Sequence, residues 1–455
     1  MPSRPTVQTL SASSVDILNA IRNNASANYR DYIPEADDSL DSVRQIGAIL
    51  MDYPALQNEF LNALVNRIGR VIVTSKMFDN PWNAFKRGML EFGETVEEVF
   101  VELAKPFEYD PGTAESEIFK REIPDVRAAF HILNYQKFYK TTVQREQLRQ
   151  AFLTWDGVTD LITKIINALY ASANYDEFQV MKYLVAVNIL NGRLKAVSID
   201  AVESDNMTSI VSTIKAESNA FTFMSSKNNV AGVHNYSGKE DQYIIVNSDF
   251  DALMSVDVLA SAFNMDKADF VGHRVLVDGF GDIDNDRLAY LFANDNNYTA
   301  LTDDEMSALN AIPAVLVDKD WFMILDNLLE FTDQYNAQGL YWNYWLHVWK
   351  TLSVSPFANS AVFVPGTPAV SSVEVSPSTV TASAGQRVHL SVEVTTAYFA
   401  PQTVTWSVAE GDPATVDNYG TVVIDDDAAD ATEITVTATS TFDGTKSDTC
   451  TITVG

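Results

Sequence analysis

The chain has a single cysteine, Cys450, so no intrachain disulfide framework can be assembled from it. Cations are also scarce: 31 Lys and Arg stand against 61 Asp and Glu, a formal net charge of −30. A surface that neutralises phosphates needs clustered Lys and Arg, so this balance argues against a nucleic-acid-binding protein. It argues equally against attachment to an anionic membrane. No apolar run approaches the ~18 residues of a membrane span. The opening MPSRPTVQTLSASSVDILNAIRNN lacks the apolar core of a signal peptide. The expectation is a soluble protein made in a reducing compartment.

Motifs that carry chemistry are missing as well. The five histidines (131, 234, 273, 347, 389) show no i, i+4 pair and no HExxH, so no zinc site is expected. Neither a GxSxG elbow nor a Walker GxxxxGK[ST] is present. Gly279-Phe280-Gly281 opens like a dinucleotide fingerprint, but Asp284 occupies the third glycine position, which leaves a turn after a strand at Arg274–Val277. Asp282, Asp284 and Asp286 imitate a calcium loop, yet Arg287 replaces its glycine and Ala293 its closing glutamate. Asp318, Lys319 and Asp320 are adjacent on a strand and point to opposite faces, as do Glu97 and Glu98, so neither set converges on a substrate. Cys450, between Thr449 and Thr451, suits a buried small hydrophobe better than a reactive thiol. No catalytic residue, metal ligand or cofactor is assigned, and the chain is not expected to be an enzyme.

What is present is material for large cores: 46% hydrophobic and 11% aromatic residues over 455 positions. Length suggests roughly three domains. The composition breaks at Val364-Pro365-Gly366-Thr367-Pro368, where dense aromatics give way to Val, Thr, Ser, Ala and Asp. Residues 366–455 hold a net charge of −10, and 1–365 the other −20. In the tail, short alternating runs (Val373–Val375, Val388–Val394, Val404–Val408, Gly420–Ile424, Ile434–Ala438, Thr449–Val454) are separated by turn formers, which indicates an all-β sandwich. Trp406 is its candidate core tryptophan. VTWSV, ATVDNYGTV and ITVTATSTFDGT, in that order, resemble the bacterial group 2 Ig-like domain.

The first 365 residues read as α+β. Residues 14–24 suggest an amphipathic helix capped by Ser13 or Ser14, and Asn58–Ile68 a second. Residues 70–110 alternate like strands and suggest an extended, projecting hairpin. Over 158–190 the pattern is helical, with Val158, Leu161, Ile162, Ile165, Ile166 and Leu169 on one face and a second amphipathic run at Asp176–Leu190. Strands at Gln242–Asn247, Arg274–Val277 and Ala314–Val317 alternate with helical segments such as Val256–Asn264. In GLYWNYWLHVWKTLSVSPFANSAVFV (339–364), five aromatics fall within nine residues. Both faces of such a strand are largely apolar and must be covered, either by a domain core or, on one face, by a neighbouring subunit.

AVLVDKDWFMILDNL together with that aromatic segment resembles the major capsid protein of phi-29-type small podoviruses. DILNAIRN, LVNRIG, IFKREIPDV, AFLTW, IINALYASANYDEFQVMKYLV and VDVLASAFNMDKADFVG follow in the same order, so the resemblance runs from about residue 14 to the end, Ig-like tail included. It implies a Hong Kong 97-type capsid fold: an N-terminal arm (1–69), an extended loop (70–125), a peripheral domain with a spine helix (126–194 and 336–365) and a mainly axial domain (195–335), followed by the Ig-like domain (366–455). It further implies a structural head subunit that forms pentamers and hexamers of a procapsid and mature shell. Its partners would be further copies of itself, a scaffolding protein, a portal and enclosed genomic DNA bound without sequence specificity, with no membrane. Assembly in the host bacterial cytoplasm and residence in the virion follow. Trp82, Phe85, Lys86, Arg87, Trp345 and Trp349 are candidate intersubunit contacts, and Gly88 and Gly93 candidate hinges, with Gly112 more simply a turn glycine. The Ig-like tail alone would also suit a bacterial surface adhesin, which would need an export signal and an anchor. A hydrolase with an accessory domain would need a catalytic set.

Overall fold

A computed structural model describes residues 14–37, 39–60, 63, 79–90, 95–109, 112, 121–152, 161, 165, 167–254, 273–293 and 298–455. The N-terminal part is helical. Helix α1 (Ser14–Asn24) is where the sequence places it, and Ser13 lies outside the described residues. Ser26 caps α2 (Ala27–Tyr32), and Ser39 caps α3 (Leu40–Asp52), whose Val43, Ile46, Gly47 and Leu50 face inward at helical spacing. A Cβ at Gly47 would lie 2.5 Å from that of Phe152, so the glycine admits close packing there. Residues 54–60 are helical as well; most of the run expected at Asn58–Ile68 falls outside the described residues.

Strands β1 (Lys86–Met89), β2 (Thr95–Val101), β3 (Val126–Ile132) and β4 (Tyr135–Gln144) come next, then the short helix α4 (Arg145–Ala151). The chain continues through a π-helical turn at Asn167–Ala171 directly into the 19-residue helix α5 (Ser172–Leu190). Then come β5 (Lys195–Ser198), α6 (Met207–Ala220), β6 (Gln242–Asn247), β7 (Arg274–Val277), α7 (Asn285–Leu291) and α8 (Asp303–Asn310). Val256–Asn264 lies outside the described residues. The shell part closes with β8 (Ala314–Asp318), β9 (Phe322–Asn336), β10 (Tyr341–Val354) and β11 (Ser360–Val364).

Two sheets organise these strands. One has the order β1-β9-β10-β4, the other β5-β11-β8-β6-β7. The pairing crosses the domain limits expected from the sequence. β9, expected on the axial side of residue 335, pairs with β10 along its whole length, while β11, expected with the peripheral part, lies between β5 and β8. β10 is a central strand, but only one of its faces is covered within the chain. Trp342, Tyr344, Leu346 and Val348 are buried, whereas Tyr341, Asn343, Trp345 and His347 are half-exposed and Trp349 is 36% exposed. Of the two ways to cover this strand, a core on both faces is therefore corrected, and one face is left open within the chain.

Helix α5 is not amphipathic, as its charged residues suggested. Asp176, Glu177, Gln179 and Lys182 are buried together with Phe178, Val180, Met181, Val185 and Ile189. A helix buried all round must satisfy each charge inside the protein. Leu161, Ile165 and Leu169, three of the residues assigned to one face before it, are buried too.

The tail contains nine strands: β12 (Ala369–Ser376), β13 (Thr379–Ala382), β14 (Arg387–His389), β15 (Ser391–Ala397), β16 (Val404–Val408), β17 (Ala414–Val416), β18 (Thr421–Ile424), β19 (Glu433–Ser440) and β20 (Ser447–Val454). They form the layers β12-β15, β13-β20-β19-β16 and β14-β18-β17 around a core of Val373, Val388, Leu390, Val422, Ile434, Val436 and Ile452. Cys450 is fully buried in that core. Trp406 is half-buried on the outer strand β16, packed against the core rather than at its centre. Its ring lies over Gly420, which at φ +79 leaves no space for a Cβ.

Candidate assembly surfaces and a buried charge node

β2 and β3 pair antiparallel in a two-stranded ribbon, Thr95 opposite Ile132 and Val101 opposite Val126. Its inner face lies on the chain's own body rather than projecting freely. Phe100 stacks on Phe357 with ring centroids 5.6 Å apart. His131 bridges Ser353 Oγ at 2.9 Å and Glu98 at 3.2 Å, and Ser355 donates to the other Glu98 oxygen at 2.7 Å. Glu102 pairs with His234 at 2.7 Å, and Arg127 donates to the Ala231 carbonyl. The outer face has no such cover. Val99, Val101, Val126, Phe130 and Ile132 stand side by side there, Phe130 at 65% exposure. Six apolar positions of one face, counting Ala128, thus remain in water on a two-stranded element too thin to hold a core of its own.

The open side of the β1-β9-β10-β4 sheet offers a second surface, on which exposed aromatic rings stand among polar side chains. Register places Trp345 opposite Lys140 and Thr332, His347 opposite Phe138, and Trp349 opposite Gln136 and Leu328. The Lys140 ammonium sits 5.5 Å from the Trp345 ring centroid.

The other aromatic and basic candidates are elsewhere. Trp82 is 0% exposed and Phe85 1%; they pack edge to face with each other and around Phe178, Phe322 and Tyr243. The Trp82 indole donates to the Leu276 carbonyl at 3.2 Å. Arg87 donates to the Asp320 and Phe322 carbonyls and pairs with the Asp320 carboxylate at 3.1 Å. Lys86 is spent inside the chain. Trp82, Phe85 and Lys86 are therefore corrected from intersubunit contacts to internal ones, because Lys86, beside two buried rings, is drawn inward by acids far away in sequence; Arg87 bonds within its own chain and stays exposed. Gly88 takes φ +97 at an irregularity in the parallel β1–β9 pairing, with nothing near a Cβ position. Gly93 lies outside the described residues, and Gly112 is in a turn.

Lys86 belongs to a square of charges. Its ammonium stands 3.2 Å from Glu177 and 2.9 Å from Asp326, and Lys350 contacts the same two carboxylates. Asn80 donates to the second Glu177 oxygen at 2.8 Å. Four segments meet here: β1, α5, β9 and β10. Burial alone would push the Lys86 ammonium down, but Glu177 and Asp326 outweigh it and hold it above the usual lysine value. Burial would likewise raise Asp326, and Lys350 and Lys86 hold it below the usual carboxylate range instead. One helical position earlier, Asp176 is fully buried and receives a two-pronged contact from Arg287 at 2.7 and 3.0 Å. Tyr139 donates to it at 2.7 Å and meets Tyr135 at 2.8 Å. Lys182 reaches Asp278 at 2.6 Å and the Asp282 carbonyl. The only sequence signal of this network was the presence of Asp176, Glu177 and Lys182 in an otherwise apolar helix.

The remaining candidates have structural partners. Asp284 caps α7, and Asn310 donates to Asp282 at 2.9 Å. Lys319 pairs with Asp241 at 2.6 Å, and Asp318 accepts from the Asp320 amide. Among the described residues no group of three or more His, Cys, Asp or Glu is gathered as for a metal ion.

A wide sheet carried by a long buried helix, with an extended ribbon rooted beside it, is the plan of a phage shell protein. The capsid of Staphylococcus phage Andhra matches it with a TM-score of 0.51, over 65% of this chain and 86% of that one, at 17% identity. The fold is the Hong Kong 97-type capsid fold. At the level of sequence, the family model for the Phi29-like phage major capsid protein matches residues 18–364, and that for the bacterial Ig-like domain (group 2) matches 369–452. The major capsid protein of Bacillus phage PZA is 37% identical over 407 residues, 88% of this chain and 84% of that protein. That of Bacillus phage B103 is 36% identical over 433 residues, 94% and 90% of the respective chains. The chain belongs to the Phi29-like major capsid protein family: it is a structural subunit of a phage head and a component of a multi-subunit capsid. The adhesin reading finds no support in these relatives.

Proposed function

We propose that the subunit closes into pentamers and hexamers, first as a procapsid built with a scaffolding protein and a portal, and then as the mature shell around packaged double-stranded DNA. The observation that supports this reading is the uncovered outer face of the β2–β3 ribbon. A shell grows by heterologous contacts, in which one patch of a subunit meets a different patch of the next. The ribbon face, which is apolar, and the open sheet face, where Trp345 and Trp349 stand among polar residues, are two such patches, both uncovered. Gly88, at the root of the ribbon, is the hinge that would let one sequence serve pentamers and hexamers. The acid surplus suits a wall that encloses DNA without gripping it. The peripheral part then comprises the β1-β9-β10-β4 sheet with α5, and the axial part the sheet of β5 to β8 and β11. Synthesis and assembly in the host cytoplasm follow from the reading. Electron microscopy of the protein co-expressed with its scaffolding protein tests it: closed shells are expected, and soluble monomers with intact folds refute it.

A further inference from the structure

Two places where the Ig-like domain meets the shell domain lie among the described residues. The first is covalent and short, since four residues separate β11 from β12 and two of them are Pro365 and Pro368. Ser198 Oγ donates to the Gly366 carbonyl at 2.7 Å there, and the Gly366 amide donates to the Val364 carbonyl at 2.9 Å.

The second is the loop between β15 and β16, which sits on the C-terminal end of α5. That helix ends in a glycine cap: Gly192, at φ +58, donates to the Ile189 carbonyl at 2.9 Å, and Arg193 donates to that of Asn188 at 2.8 Å. Asn191 takes the Val187 carbonyl, which leaves the carbonyl of Leu190. It accepts from the Gln402 side chain at 3.2 Å, so the last open group of the helix is closed by the other domain. A Cβ on Gly192 would lie 2.5 Å from the Ala400 carbonyl oxygen and 2.8 Å from the Gln402 amide. The glycine thus serves the cap and the domain contact at once.

The loop itself is held in a conformation that residues with side chains rarely adopt. Tyr398 and Phe399 are consecutive in the left-handed region, at φ 51 and 56. Such backbone persists only where its surroundings enforce it. Here the turn sends the two rings to separate anchors. Tyr398 covers Gly366, where a Cβ would lie 2.3 Å from the ring, and so joins the two junctions. Phe399, half-buried, packs against the hydrophobic core of the shell domain, while the next residue, Ala400, is fully buried in the Ig-like core.

We infer that the Ig-like domain is fixed to the end of α5 through Tyr398, Phe399 and Gln402 and moves with that helix as one body. A domain hung on a single linker would keep its orientational freedom; a second attachment at a different point removes it. This inference stands apart from the shell-assembly reading and holds for the single chain.

Spin labels at two exposed positions, Tyr290→Cys in α7 and Tyr419→Cys in the Ig-like domain, test it by pulsed dipolar spectroscopy in the full chain. Unlabelled chain in excess suppresses distances between subunits, and buried Cys450 takes up no label while its domain is folded. The expected result is one narrow distance distribution. Combining Phe399→Ala with Gln402→Ala should broaden it about twofold or more, as for a domain released to its linker. Phe399→Leu, which keeps the apolar plug, should leave it narrow. A broad distribution in the parent chain overturns the inference, whether or not the double variant folds. So does an unchanged width in a folded double variant.

Discussion

Replacing Glu177 by Gln keeps the shape of the charge square and removes one of its two negative charges. Lys86 and Lys350 then face a single carboxylate, Asp326, in a site where Glu177 is 2% and Lys350 8% exposed. Removing one partner of a buried, hydrogen-bonded charge pair costs about 3–5 kcal/mol. Asp326 remains and Gln can still accept from one ammonium, so the lower end applies, about 3 kcal/mol or roughly a hundredfold in the folding equilibrium. Urea unfolding followed by tryptophan fluorescence reads this directly, since Trp82 packs against Phe178 in the same helix. Lys350→Met alone should be comparably damaging. Combined with Glu177→Gln it should be less so than the sum of the singles, because the pair leaves no unmatched charge between Lys86 and Asp326; a coupling of about 1–3 kcal/mol is expected. A cost below about 1 kcal/mol for Glu177→Gln would refute the reasoning, as would strict additivity in the double variant. The square also fixes a pH window. The Asp326 value is depressed, so its contribution is full above the ordinary carboxylate pKa and lost as pH falls through the depressed one. The Lys86 value is raised, so its contribution is full below the ordinary lysine pKa and lost as pH rises through the raised one.

Val99→Asp with Phe130→Asp should leave the monomer folded, because both side chains point into water, and abolish shell formation measured by sedimentation. Wild-type yields would show that the ribbon face is no contact. Trp345→Glu should act in the same direction on the sheet face. Gly420→Ala introduces a Cβ 2.5 Å from the Leu390 carbonyl at φ +79, and should lower the melting transition of the Ig-like domain by roughly 8 °C or more. Calorimetry showing no shift would contradict the geometry. Burial raises the Cys450 thiol above its usual value, so at pH 8 a thiol reagent should label it only after the domain unfolds.

The tail was largely readable in advance because its information is local. Alternation places one face of each strand in the core, and five of the six runs marked in the sequence each coincide with one strand, while Val388–Val394 spans β14 and β15, which lie in different layers. The short β13 and β17, of four and three residues, are too brief for alternation to register. In the shell domain β10 stood out as a central strand, but not which of its faces was open, since that depends on what packs across the sheet. Lys86 shows the limit most plainly. Beside Trp82 and Phe85 it looked like an exposed basic spot, and the acids that draw it inward come from positions 177 and 326. Periodicity describes one element at a time, whereas a buried ion pair is a property of two. The same holds for β9 and β11, whose places in the two sheets are set by their pairing partners, not by their own residues.

Helix α5 is keyed as well as packed. Asp176 is tied to α7, Glu177 to β1 and β10, and Lys182 to the turn after β7, in three different directions around its axis. A slide of one turn, about 5.4 Å, would tear all three locks at once, and so would a rotation about the axis. When neighbouring subunits demand a different curvature of the shell, this helix therefore has only bending and tilting available to it. Angular adjustment must come from the segments that enter and leave its seat, while the seat itself stays in register from one subunit to the next.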